Sequence, residues 1–119
     1  MAGDSYKVKR ANPRFSFFAD GEATLHDGTS VLTQLSQLSS RGCYIGTMEP
    51  IPAGTELRLS INFGDTACEL PGKVLYLHSV GGLGIFGLGV AFGEMPADQE
   101  SKIAAWLHEL SSKGEDRRS

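Results

Sequence analysis

The chain holds 119 residues, 40% hydrophobic and 21% charged, which supplies apolar side chains for one core and excludes a disordered polyelectrolyte. No run reaches the roughly 18 apolar residues of a membrane helix, the start MAGDSYKVKR lacks a signal peptide's apolar segment, and Cys43 and Cys68 form no CxxC pair. The expectation is a cytoplasmic protein without membrane insertion, disulfide framework or zinc ribbon, whose net charge of −3 hides a split: residues 1–14 carry +3 and the remainder −6.

Beyond Arg14, Phe15, Phe17 and Ala19 share one parity, Asp20-Gly21 permits a bend, and Ala23 and Leu25 complete a first strand before the turn His26-Asp27-Gly28. Val31 to Leu38 reads as a second strand with Val31, Thr33 and Leu35 on one face. Ser39-Ser40-Arg41-Gly42 interrupts it, and a short apolar piece follows from Cys43 to Ile45. From Glu56 to Phe63 the alternation is strict, Leu57, Leu59, Ile61 and Phe63 against Glu56, Arg58, Ser60 and Asn62, a period of two that excludes a helix.

After the turn at Gly64-Asp65, Cys68 to Leu77 gives a strand expected to bulge or bend at Pro71-Gly72, with Val74 and Tyr76 on one face. Gly81 to Gly84 reads as a loop, and Phe86, Leu88, Val90 and Phe92 share parity in a last strand that Pro96 closes. Helical spacing comes only then: Ile103, Trp106, Leu107 and Leu110 stand at i, i+3, i+4 and i+7, with Asp98 placed to cap the helix or favour its dipole. Trp106 belongs to that core stripe. This order of elements predicts an all-β fold, a small closed or nearly closed antiparallel barrel with a terminal helix.

Several chemistries find no support in the spacing. Gly82, Gly84 and Gly87 match GxGxxG, but a strand follows instead of the helix that a dinucleotide site needs. His26, His78 and His108 fall at no metal-ligand spacing, so no metal site and no cofactor is expected. Without a GxSxG elbow or another nucleophile beside a base, the chain reads as a binding module and not an enzyme.

Two clusters remain. Arg10-Ala11-Asn12-Pro13-Arg14 sets two guanidiniums four residues apart in a segment that Pro13 keeps out of a regular helix. A guanidinium can fork onto guanine O6 and N7 or onto phosphate oxygens; taken alone, the pair reads as a solvated basic tail. Gln37-Leu38-Ser39-Ser40-Arg41-Gly42 supplies an amide, a hydroxyl and a glycine, and alternation places Gln37 and Ser39 on one face. Taken alone, that cluster is an ordinary polar turn.

Together and in this order, the motifs resemble the PilZ domain, a bacterial receptor for the second messenger cyclic di-GMP, over nearly the whole chain from Lys9 to Leu110. That family carries RxxxR, matched by Arg10 and Arg14, then (D/N)xSxxG, matched at Ser39 and Gly42 but with Gln37 in place of Asp or Asn. Gly72-Lys73-Val74-Leu75-Tyr76 and Gly89-Val90-Ala91-Phe92 look like its fifth and sixth strands.

The resemblance implies a six-stranded antiparallel β-barrel with a C-terminal helix, here over 15–111; the charge split sets a basic arm over 1–14 before it, and the small, charged end without apolar periodicity is expected to form a disordered tail over 112–119. The resemblance further implies that Arg10 and Arg14 bind guanine and phosphate above Gln37, Ser39 and Gly42, with Lys9, Arg41 and Gly89 as additional contacts. Gln37 offers one neutral acceptor where a carboxylate would take guanine N1 and N2 together, so weaker binding or a shifted pose is expected. The function implied is a receptor whose arm closes on cyclic di-GMP and signals to a protein partner not identified by the sequence. The alternative is a PilZ-like protein-interaction module that does not bind the nucleotide. A nucleic-acid polymer is not an expected partner, given the net charge and the lack of a basic, aromatic stripe.

Overall fold

A computed structural model of the chain describes residues 15–118, and side chains through Ser111. Six antiparallel strands follow in order: β1 (Phe15–Leu25), β2 (Ser30–Leu38), β3 (Gly42–Thr47), β4 (Glu56–Phe63), β5 (Thr66–Val80) and β6 (Ile85–Phe92). They close into a barrel in the order β1-β2-β3-β6-β5-β4, and the helix α1 (Ala97–Arg118) packs against β1 and β5. Closure leaves no strand edge open to another chain. The six-stranded all-β barrel with a terminal helix is therefore the architecture of the chain.

The inward residues are those the alternation selects. Leu59, Ile61, Leu70, Leu88 and Ile45 are fully buried, and Phe17, Phe63 and Trp106 cluster with ring centroids 4.6 to 5.7 Å apart, fastening the helix to the barrel. Gln99 Oε1 accepts from the Glu69 amide at 2.8 Å, and the Lys102 ammonium donates to the Ala67 carbonyl at 2.7 Å, fixing the helix to the start of β5. Asp98 lies within the first turn, where it favours the dipole; the Pro96 carbonyl accepts from the Gln99 and Glu100 amides.

Four local expectations change. Pro71 sits in an unbroken ladder opposite Arg58. Its carbonyl points toward β6 and accepts from Gly93, so its missing N–H faces the side where the β5–β6 ladder has not yet begun. The irregularity of β5 falls instead between Val74 and Tyr76, which turns Val74 inward and Tyr76 outward. A second bulge, between Leu35 and Gln37 against β3, sends Leu38 inward and Gln37 outward, so Gln37 and the buried Ser39 do not share a face. The helix also continues to Arg118, through Gly114 and the residues expected to form a disordered tail.

Candidate functional site

The turn that ends β2 is built by Ser39. Its amide donates to the Gly42 carbonyl at 2.9 Å, and its hydroxyl donates to the same carbonyl at 3.2 Å while accepting from the amides of Gly42 at 3.1 Å and Arg41 at 3.3 Å. Only 8% of Ser39 is exposed, so this hydroxyl holds the turn together from within. A Cβ on Gly42 would overlap the Val90 carbonyl oxygen, which makes glycine the residue that lets β3 begin against β6. The Arg41 carbonyl accepts from Phe92 at 2.8 Å and ties the turn to the end of β6, while the Arg41 side chain is exposed.

The registers of four strands then lay out one outer face, row by row. Nearest the turn stand Gly42, Ala91 and Lys73. The next outward row reads Gln37, Tyr44, Gly89 and Tyr76, and the one after it Gln34, Gly46, Gly87 and His78. Two glycines of β6 form the floor. A Cβ on Gly89 would overlap the Tyr76 ring, and one on Gly87 would overlap the Tyr44 hydroxyl, which meets His78 Nε2 at 2.6 Å across the strand. The rings of Tyr44 and Tyr76 lie 5.8 and 6.2 Å from that of His78. The result is an aromatic shelf on a glycine floor, the tyrosine rings tilted 31° and 32° to the His78 ring, with the amide of Gln37 at one side and the exposed cation Lys73 at the turn end.

This face gathers Gln37 and Gly89 in one row and puts Gly42 one outward row away, whereas Ser39 points into the turn. Lys9, Arg10 and Arg14 lie outside the described residues. The chain enters β1 beside the face, however, since Phe15 pairs with Leu38 and Ser16 with Gln37. Sequence reading missed Tyr44, Tyr76, His78 and Lys73 as members of the site. The available signal was Gly87 and Gly89 alternating inside an apolar strand, a pattern that marks close approach of other groups.

Cys43 points inward beneath the face, and burial pushes its thiol and that of Cys68 up, so neither supplies a thiolate nucleophile near neutral pH. Among the described residues no three His, Cys, Asp or Glu side chains gather as metal ligands, and no helix is long and apolar enough to cross a membrane.

The fold has solved counterparts. The PilZ domain of Escherichia coli YcgR with c-di-GMP superposes with a TM-score of 0.73 at 14% identity, covering 92% of this chain and 97% of that one. The K. pneumonia MrkH–c-di-GMP complex gives 0.76 at 17%, covering 92% of this chain and 55% of MrkH; this chain likewise spans 49% of the longer YcgR chain in its own c-di-GMP complex. The PilZ domain of CeSA from a cellulose-synthesizing bacterium gives 0.61 at 15%, with 83% and 98% covered. No curated protein sequence matches. The sequence profile of the PilZ domain matches residues 8–109, and with that span covered, the chain belongs to the PilZ domain family.

Proposed function

We propose that the chain is a cyclic di-GMP receptor which holds the dinucleotide on the outer face of β2, β3, β6 and β5 and closes its N-terminal arm over it. The observation that carries this reading is the single row of Gln37, Tyr44, Gly89 and Tyr76, entered at its edge by the strand that continues Arg10 and Arg14. Flat rings above glycines give a purine a stacking surface worth about 1–3 kcal/mol per base. Arg10 and Arg14 supply forks for guanine O6 and N7 or for phosphate, Gln37 reads a base edge with its amide, and Lys73, Arg41 and Lys9 lend charge to two phosphates. Ser39 and Gly42 act by shaping the turn beneath.

On this reading the two phosphates of the ligand draw the +3 segment 1–14 onto the face, and the liganded face is what a protein partner reads. The domain then works by binding and carries no catalytic residue. The c-di-GMP of the YcgR and MrkH complexes supports the ligand class.

Calorimetric titration of the chain with cyclic di-GMP, against GTP as control, tests the reading. Saturable micromolar or tighter binding, abolished by Arg10→Ala or Arg14→Ala and strengthened by Gln37→Asp, is the expected result. A flat titration of folded protein would overturn it and leave the protein-interaction module, which the neutral Gln37 favours.

A further inference from the structure

Five of the exposed large apolar side chains fall in one place. Beyond the His78 row, the next outward row across the same four strands reads Leu32, Met48, Ile85 and Val80: Thr33 pairs with Thr47, Thr47 with Phe86 and Val80 with Ile85, so Met48 continues the row between Leu32 and Ile85. Leu83 extends it from the tip of the β5–β6 hairpin. Leu32, Met48 and Leu83 are 77%, 72% and 76% exposed, and Val80 and Ile85 are more than a third exposed. The inward neighbours Thr33 and Thr47 are buried, so the outward row is not part of the core.

Such a row puts on the order of 500 Å² of apolar surface in one patch, the upper range for a monomer and more than half of the roughly 800 Å² each side of a standard interface contributes. Its charge is uneven. From Val74 to Gly93 the chain has no Asp, Glu, Lys or Arg, whereas Glu49 follows Met48 and Glu22 pairs with Leu32. One end of the row is therefore acidic, and the other ends in the uncharged glycine turn Gly81 to Gly84.

We infer that this row is the interface between two copies of the chain, stacked antiparallel about a two-fold axis. In that arrangement the hairpin tip of each copy covers Leu32 and Met48 of the other. The carboxylates of Glu22 and Glu49 then face the amides of a glycine turn and stay at opposite ends of the interface, away from their own symmetry mates. A row laid parallel to itself would instead bring four carboxylates together. The interface lies about 13 Å along the strands from the Gln37–Tyr76 row, four residues on, and does not depend on what that row binds.

Sedimentation equilibrium of the 119-residue chain over a wide concentration range decides the matter. A dimer is expected whose dissociation constant rises at least tenfold with either Leu32→Glu or Met48→Glu, with thermal unfolding unchanged at concentrations where the chain is monomeric, because in the single chain both side chains stand in solvent. Phe18→Glu, equally exposed but on β1 outside the row, should leave the dimer intact. A chain that stays monomeric overturns the inference and leaves the row to a different protein. A dimer indifferent to both row variants, or one lost equally with Phe18→Glu, overturns it as well.

Discussion

The barrel has a regular half and a bulged half. β4 pairs with β1 over six consecutive positions and with β5 over eight without a break, and its outward residues are ordinary polar side chains. The ladders β1–β2, β2–β3 and β5–β6 each carry a register shift, and the aromatic and glycine face spans β2, β3, β6 and β5. A bulge adds one residue to one strand and turns every later side chain over. In the bulged half this turns Gln37 and Tyr76 from the inward parity of their strands to the outer face, so the half that departs from alternation is the half that presents the candidate site.

Two core substitutions should separate the halves most strongly. Leu59→Ala in β4 empties a fully buried position of the regular half and is expected to cost about 3 kcal/mol in urea unfolding, with the cyclic di-GMP affinity of the folded chain unchanged. Gly42→Ala in the bulged half drives a methyl into the Val90 carbonyl, a backbone atom with little room to yield, and should cost about 2 kcal/mol. Unlike Leu59→Ala, it should also weaken ligand titration, because β3 must move against β6. Equal affinity in both variants would dissolve the distinction.

The same division explains what the sequence made legible. Strict alternation places β4 at Glu56–Phe63, and the helical stripe places Ile103 and Trp106 in the core, because in both segments each residue's environment follows from its neighbours in the chain. Bulges are a property of two strands together, so the outward turn of Gln37 and the separation of Val74 from Tyr76 had no local signature. The shelf of Tyr44, Tyr76 and His78 is more distant still: its members come from β3 and β5 and meet only across the glycines of β6. The motif residues Ser39 and Gly42 were legible as a motif, but their positions in the turn were not.

Ser39→Ala tests that turn directly. The hydroxyl accepts from two amides and donates to a carbonyl, and its loss leaves the half-buried Gly42 amide without its 3.1 Å partner. A destabilisation of about 1.5 kcal/mol is expected by chemical denaturation, smaller than for Gly42→Ala because the Ser39 amide still donates to the Gly42 carbonyl. Restoration of stability by Ser39→Thr, which keeps the hydroxyl, would assign the effect to the hydrogen bonds. Failure of that rescue would assign it to packing.

The smallest effect has the opposite sign. Thr33 points into the barrel ahead of the β2 bulge, opposite Gly21 and Thr47, and its hydroxyl is buried without a hydrogen-bond partner, whereas the Thr47 hydroxyl donates to the Glu49 carbonyl at 2.6 Å. An unpaired buried hydroxyl has lost its water and gained nothing for it. Thr33→Val keeps the branched shape and removes that penalty, so it should stabilise the chain by about 1 kcal/mol and leave ligand binding untouched. Thr47→Val, by contrast, deletes a made bond and should destabilise. Thermal unfolding of the two variants side by side reads the sign: a loss of stability in Thr33→Val would mean that the hydroxyl is solvated inside the barrel, and that the bulged half holds a polar site on its inner face as well as its outer one.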